Sequence, residues 1–597
     1  MFLPTTPAEV KKLGWQQLDI ILITGDTYID SPFMGVSLMG KWLMAQGFKV
    51  GIIAQPNTEN ADDISRLGEP ALFWGVTGGA VDSMVANYTA LKKRRKSDDY
   101  TPGCENTRRP DRAVIVYTNL IRRFFKDTAP IVLGGIEASL RRIAHYDFWS
   151  NKVRRSILFD ARADFLLFGM AHHSVLELAR VLKEGHSFKN IRGLGYIGNA
   201  PKGLELAPFE KVKSDKQAYA DSFTTFYENC DPITAQGICQ AHGDKYLILN
   251  PPPPTSTTQE MDALHNLEFE RETHPFYAAD GPVRALDTIR FSIPTHFGCY
   301  GECNFCAIAV HQGRTVQFRS PDAIVKEAKT LIQHPKFKGN IMDLGGPTAN
   351  MYGFECKKKK NKGACKDRRC LFPTPCKSLK PDHSRHLELI RKIEALPQIK
   401  KVFINSGIRY DLILADPKHG KSYLKKIVKD HVSGQMKVAP EHSQNRVLKH
   451  MGKPGTDNLL EFKRLFDDLS RKSGKKQFLT YYLIAAHPGC TPKDMAALRD
   501  FTRKELKVSP EQVQIFTPTP STYSTLMYHT ETNPFTGERL FVEKQGHGKE
   551  RQKQAVVSSH PKKSSRKPGK KSHRPTPRSK FKPRGKRGAP KGRREKH

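Results

Sequence analysis

The sequence predicts an α/β protein with two successive sheets: an N-terminal doubly wound domain, then a partial (β/α)6 barrel, ending in a disordered basic tail. Three observations carry this expectation. Apolar runs of strand length alternate with segments of helical periodicity in residues 1–190, and again in 286–543. Between them, residues 191–285 lose the alternation and contain PPPPTSTTQE (251–260), a stiff proline-rich connection. From Lys544 to His597 there are 21 basic and 2 acidic side chains, half of the net charge of +38, and Phe581 is the single aromatic residue. Such a segment cannot bury enough surface to offset the entropy of ordering.

In the first domain LDIILITGD (18–26) reads as a strand, and SLMGKWLMAQG (37–47) as a helix ending at Gly47. KVGIIAQP, AVIVYT (113–118), PIVLGGIEAS (130–139) and DFLLFGMAH (164–172) are further strand candidates. Gly134, Gly135 and Gly169 fit turns at a ligand-binding sheet edge. The basic stretch 90–112 reads as a surface excursion. In the second domain the expected strands are 288–294, 340–344, 401–407, 435–441, 477–485 and 513–518, with helices between them. One helix opens on the Ser320-Pro321 start signal. Residues for chemistry should then follow the strand ends.

No apolar run is long enough to span a bilayer, and MFLPTTPAEVKKLGW lacks the apolar middle of a signal peptide. A cytoplasmic protein is expected, in which the 11 cysteines serve as metal ligands or core thiols rather than disulfides. The tail could hold RNA or another polyanion by phosphate neutralisation, or merely aid solubility; it offers no stacking platform for bases.

THFGCYGECNFCAIAVHQGR (295–314) places Cys299, Cys303 and Cys306 just after the first barrel strand. Zinc and an iron–sulfur cluster both take thiolates. Zinc would need a fourth ligand, with His296 and His311 as candidates; a cubane needs only three thiolates if its fourth iron is left for a chelating substrate. The C-x3-C-x2-C pattern, with Phe305 before the last cysteine, resembles the signature of radical S-adenosylmethionine enzymes. The resemblance implies a 4Fe–4S cluster on these three cysteines and S-adenosylmethionine on the open iron. It also implies a 5′-deoxyadenosyl radical and a one-electron reductant such as flavodoxin or ferredoxin. DLGGPTANMYG (343–353) matches the glycine motif of this class, with Pro347 where glutamate is common; the resemblance gives Gly345 and Gly346 a role in seating the cofactor through their backbone oxygens. Ser406 and Arg409 in SGIRYD (406–411) could hold its ribose or carboxylate, and Arg409 could equally pair with Asp411. With APEHSQNRVLKHMGKP, YLIAAHPGCTPKDM and FTPTPSTYSTLMYHT, these stretches resemble the YgiQ-type radical enzymes from about residue 10 to 550. That likeness brings no substrate with it. SQNRVLKHM is also similar to a stretch of RNA methylthiotransferases, but their three N-terminal cluster cysteines have no match here.

A cysteine-rich insertion at 351–383 carries Cys356, Cys365, Cys370 and Cys376. It has little core, so a structural zinc or an auxiliary cluster would suit it. Cys104, Cys230, Cys239 and Cys490 are read as incidental or buried thiols. A doubly wound domain ahead of such a barrel resembles the cobalamin-binding arrangement. However, GDTYIDSPFMG (25–35) has Asp26 and Asp30 and no histidine to ligate cobalt, which argues against cobalamin. The expected protein is therefore a radical enzyme of unknown substrate. Its rival is a non-catalytic, zinc-stabilised RNA-binding protein.

Overall fold

The structure is a computed structural model and describes residues 1–510 and 513–557. The tail beyond 557, with the expectation placed on it, lies outside the described residues.

The first sheet has nine strands: β1 (Ile20–Thr24), β2 (Val50–Ala54), β3 (Phe73–Thr77), β4 (Ile131–Gly134), β5 (Phe165–Leu167), β6 (Leu194–Gly198), β7 (Leu204–Leu206), β8 (Ile238–His242) and β9 (Lys245–Leu249). Their spatial order is β2-β1-β3-β4-β5-β6-β9-β8-β7. The first five are parallel. β6 runs antiparallel to β5, and β9 antiparallel to β6. β1 and β2 are buried along their whole length, as expected of parallel strands covered on both faces.

Three expectations need correction. AVIVYT is not a strand but the first half of the helix Ala113–Phe124. Its buried residues Val114, Tyr117, Leu120 and Ile121 follow helical spacing, which outweighs the β-branched run. Residues 191–285 are not an irregular connection, because β6–β9 extend the first sheet through 249. The proline-rich stretch after them is tied down, with the Pro251 and Pro252 carbonyls accepting from Gly193 N and Arg192 Nε. Nor is the basic stretch 90–112 wholly a surface excursion. Arg109 is 1% exposed and pairs with Asp26 at 2.8 Å and Asp98 at 2.9 Å.

The second region carries six parallel strand positions: β10 (Ser292–Pro294), β11 and β12 (Asn340–Ile341 and Asp343–Gly345, two halves of one strand), β13 (Lys401–Val402), β14 (Gln435–Glu441), β15 (Phe478–Ala485) and β16 (Gln514–Ile515). The parallel pairs are β10–β12, β11–β13, β14–β15 and β15–β16. An Ile408–Val438 bridge joins the third position to the fourth. This is the partial barrel that the sequence predicts. Ser320 caps the helix Pro321–Ile332, its Oγ accepting from Ala323 N at 3.1 Å. The described fold also runs past the expected boundary at 544. The helix Gly546–Gln554 buries Lys549 and Gln552, and Gln552 accepts from Ala486 N at 3.0 Å. Among the described residues no helix is long and apolar enough to cross a membrane.

Candidate active site

β10 ends at Pro294, and the next residue anchors the cysteine loop. Thr295 N and Oγ1 both donate to the Gly345 carbonyl, at 2.7 and 3.1 Å. His296 is fully buried. Its Nδ1 meets Thr295 Oγ1 at 2.8 Å and its Nε2 meets the Thr348 carbonyl at 3.0 Å. Both ring nitrogens are thus taken, and His296 cannot be a fourth metal ligand. His311 ends the short helix Ile308–His311 and lines a cavity against the first sheet. Gly298 has φ +84°, and a Cβ there would lie 2.3 Å from the Thr315 carbonyl; the loop entry requires glycine.

From this entry the loop turns its cysteines toward one another. Cys299 N donates to Gly313 O, Gly301 N to Cys299 Sγ at 3.3 Å, and Cys306 N to Cys303 O at 3.0 Å. Asn304 fixes the outer side through the Met451 and His450 carbonyls. A Cβ at Gly301 would sit 3.2 Å from Cys299 Sγ and 3.7 Å from Cys303 Sγ, so this position stays bare between two sulfurs. Burial raises the Cys299 thiol, and the neighbouring Cys303 raises it further. Burial pushes Cys306 up to about 12, with Cys303 and Cys299 adding to the effect. Raised thiols at Cys299 and Cys306 call for a cationic partner if they are to ionise. The sulfurs do not all lie within 4.8 Å of one another. Thiolates on one tetrahedral zinc sit about 3.8 Å apart, given Zn–S bonds near 2.3 Å. The donor set, its spacing and the missing histidine fit a multi-iron cubane with one open corner better than a single zinc.

The following strand ends supply the surroundings. Gly345 O is already engaged by Thr295, so the Gly345–Gly346 pair keeps only Gly346 O for a cofactor amine. Gly346 is bare because a Cβ would lie 2.7 Å from the His296 ring. Ser406 is half-buried; its Oγ donates to Asp343, whose other oxygen accepts from Asn405 N and Ser406 N. Arg409 forms a two-pronged pair with Asp411, Nε to Oδ1 at 2.8 Å. Its Nη1 reaches to 4.0 Å from Cys303 Sγ, so Arg409 is both a structural partner and the cation beside the sulfurs. Asn350 holds the Arg409 backbone through both its N–H and its carbonyl. Phe305 is half-buried, edge-on to His487 at 6.3 Å.

Sequence reasoning missed Glu441 and Lys453. Glu441 ends β14 with φ +69°, 7% exposed, and Lys453 Nζ lies 3.6 Å from its Oε1. Burial raises the Glu441 carboxyl, while Lys453 and Arg409 oppose the rise. A strand-terminal acid in APEH was the available signal. Cys490 is buried, with Sγ 3.5 Å from His442 Nε2.

The insertion cysteines behave differently. Cys356 joins a small apolar cluster with Tyr300, Phe354 and Leu371, and Cys370, Cys376 and Cys299 pack on its edge. Burial pushes Cys370 up to about 11 against the pull of Lys359. No three of the four sulfurs lie within 4.8 Å of one another, wider than a single zinc would draw them; that spacing does not bear on an auxiliary cluster. In the first domain Asp26 pairs with Arg109, and Asp30 with Lys41 at 2.7 Å, which leaves neither carboxylate free to replace the missing cobalt-ligating histidine.

A doubly wound domain in front of a partial barrel with a three-cysteine loop defines a radical S-adenosylmethionine protein. The sequence comparisons agree: residues 2–292 match the radical SAM N-terminal family and 293–502 the radical SAM superfamily. The chain belongs to the UPF0313 family, the YgiQ-type group of that superfamily. A UPF0313 protein of Fusobacterium nucleatum is 58% identical over 93% of this chain and 98% of its own length. One from Thermotoga neapolitana is 48% identical over 91% of this chain and 96% of its own. Membership implies a 4Fe–4S cluster and S-adenosylmethionine as cofactors. Among solved structures, the radical S-adenosylmethionine methyltransferase TsrM from Kitasatospora setae aligns with 84% of this chain and 74% of its own (TM-score 0.48, 14% identity). The cobalamin-dependent radical enzyme OxsB aligns with 86% and 56% (TM-score 0.46, 11% identity).

Proposed function

We propose that Cys299, Cys303 and Cys306 hold the cluster and that the protein is a radical enzyme acting on a substrate its sequence does not name. The observation that carries this reading is the convergence of three thiols at a barrel strand end with both nitrogens of His296 engaged elsewhere. When bound, cluster and S-adenosylmethionine together supply one-electron cleavage of a carbon–sulfur bond to a 5′-deoxyadenosyl radical. The chain's own residues bind and orient. Gly346 O would accept from the cofactor's amino group. Arg409, fixed by Asp411 and Asn350, puts positive charge beside the sulfurs and offsets the charge of the thiolates. Asp343 fixes the turn at Asn405 and Ser406 by accepting from both backbone N–H groups, rather than by ligand contact. Phe305 packs against His487 beside the loop. The electron would come from a flavodoxin- or ferredoxin-class donor.

The test is anaerobic reconstitution with iron and sulfide, followed by dithionite and S-adenosylmethionine. Release of 5′-deoxyadenosine by the native protein, and none by the Cys299→Ala/Cys303→Ala/Cys306→Ala protein, is expected. Zinc in the site with no release would refute the proposal.

A further inference from the structure

Residues 355–380, within the cysteine-rich insertion, form a lobe with eight exposed basic side chains against one exposed acid, Asp367. Lys357, Lys358, Lys360 and Lys362 lie on the short helix Lys357–Lys362, and four more follow between Lys366 and Lys380. Among the described residues none of the eight is in an ion pair. The lobe's one such pair is internal and buried, Lys359 with Glu355 at 3.0 Å. The chain is basic as a whole, so charge alone does not single this lobe out. Its anchoring does.

Every tie of the lobe runs to the cysteine loop or the stretch just after it. Glu355 Oε2 accepts from Val316 N at 2.9 Å, and Lys359 Nζ donates to Arg314 O at 2.8 Å. Arg369 Nη1 donates to Glu302 O at 3.0 Å and to Asn304 Oδ1 at 2.6 Å, both inside the loop itself. Tyr300, between Cys299 and Cys303, donates its hydroxyl to Phe354 O and is 1% exposed. It shares an apolar cluster with Cys356, Leu371 and Leu379, and Cys299 packs on the edge of that cluster. The basic lobe and a thiol of the cluster site thus share one small core. A lysine run that merely faced solvent would need no such ties.

We infer that this lobe is the docking surface for a small acidic protein that carries one electron to the cluster, an inference that rests on the radical reading above. One electron leaves the reduced carrier and enters the cluster held by Cys299, Cys303 and Cys306. The carrier is oxidised by one electron and the cluster reduced by one; no bond forms or breaks, and no proton need move. Opposite charge on the two faces speeds the encounter and rejects wrong partners. Electron-transfer encounters are also small, below about 1,200 Å2 of buried surface, which a lobe of this length can supply. Nucleic acid fits less well. The lobe's single Phe, Tyr or Trp is Phe372, half-buried, so it presents no series of rings on which bases could stack.

The test is calorimetric titration of the full chain, anaerobically reconstituted, with a flavodoxin and with a ferredoxin, beside 5′-deoxyadenosine release driven by each reduced carrier or by dithionite. At least one carrier should bind. Lys357→Glu/Lys358→Glu/Lys360→Glu/Lys362→Glu should weaken that binding at least about tenfold at low ionic strength, and by less as salt screens the native contact. Carrier-driven release should fall by at least about tenfold as well, with iron content unchanged and dithionite-driven release within about twofold of native. Lys366→Glu/Arg368→Glu/Lys377→Glu carries the test should the first variant fail to fold. Lys562→Glu/Lys563→Glu/Lys570→Glu/Lys571→Glu makes the same charge change in the C-terminal tail and should leave carrier binding within about twofold. Dithionite needs no docking surface, so a failure with dithionite in the native protein falls on the radical reading and not on the lobe. The inference is wrong if neither carrier binds, if the lobe variants bind it as the native protein does, or if the tail variant loses as much. It is also wrong if the lobe variants lose retention of a 20-nucleotide RNA while carrier binding stays unchanged.

Discussion

The two cysteine groups lie close together in the fold and are built by different means. Cys299, Cys303 and Cys306 follow a barrel strand, and their loop is fixed at the entry by Thr295 and His296 and on the outside by Asn304. Cys356, Cys365, Cys370 and Cys376 hang on an insertion whose order comes from a small apolar cluster and the Lys359–Glu355 pair. In the first group the backbone gathers the sulfurs before any metal arrives. In the second, Cys356 is buried in that cluster and Cys370 and Cys376 pack on its edge.

Substitutions in the two groups should separate them most widely. Replacing any one of Cys299, Cys303 or Cys306 by alanine should abolish cluster absorbance and lower 5′-deoxyadenosine formation by at least about a thousandfold, whereas Cys365→Ala should leave both within about twofold. Equal losses from both groups would erase the distinction. Next in size is the Arg409–Asp411 pair, buried on both sides. Arg409→Met strands a buried carboxylate and should cost about 3–5 kcal/mol in denaturant unfolding, with cluster uptake impaired as well. Acid should sharpen the contrast. His296 is held at about 4, below its ordinary value, by burial. The unfolded chain then takes up the proton more readily, so this stabilisation is complete above about pH 6.5 and is lost as pH falls toward 4, at most about 3 kcal/mol. Hydrogen exchange in 296–306 should accelerate over that window at fixed intrinsic rate, and a profile flat from pH 7 to 5 would contradict it. The smallest effect is expected for Cys356→Ala, about 1 kcal/mol for a lost apolar contact, with iron content unchanged.

Much of the fold was legible because its signals are local. The six barrel strands follow short apolar runs, and the Ser320-Pro321 start has the capping geometry it implies. Other features depend on tertiary context. In β8 and β9, ICQAH and KYLIL flank Gly243-Asp244, a recognisable two-residue hairpin turn, yet their membership in the first sheet rests on pairing with β6. AVIVYT has strand composition, but helical burial continues to Ile121. At the site, the cysteine spacing was readable and the roles of neighbouring residues were less so. Ser406 and Gly345 O are spoken for by Asp343 and Thr295, residues distant in sequence. Glu441 and Lys453 become neighbours only when β14 and the helix after it fold together.

The central claim is that three protein thiolates leave one iron for an exchangeable ligand. Mössbauer spectroscopy of the protein reconstituted with 57Fe, recorded before and after adding S-adenosylmethionine, tests it most directly. The account predicts that one iron in four shifts to a distinct, higher-coordinate signal while three stay unchanged. Four irons that remain equivalent, or a site filled by zinc, would contradict it.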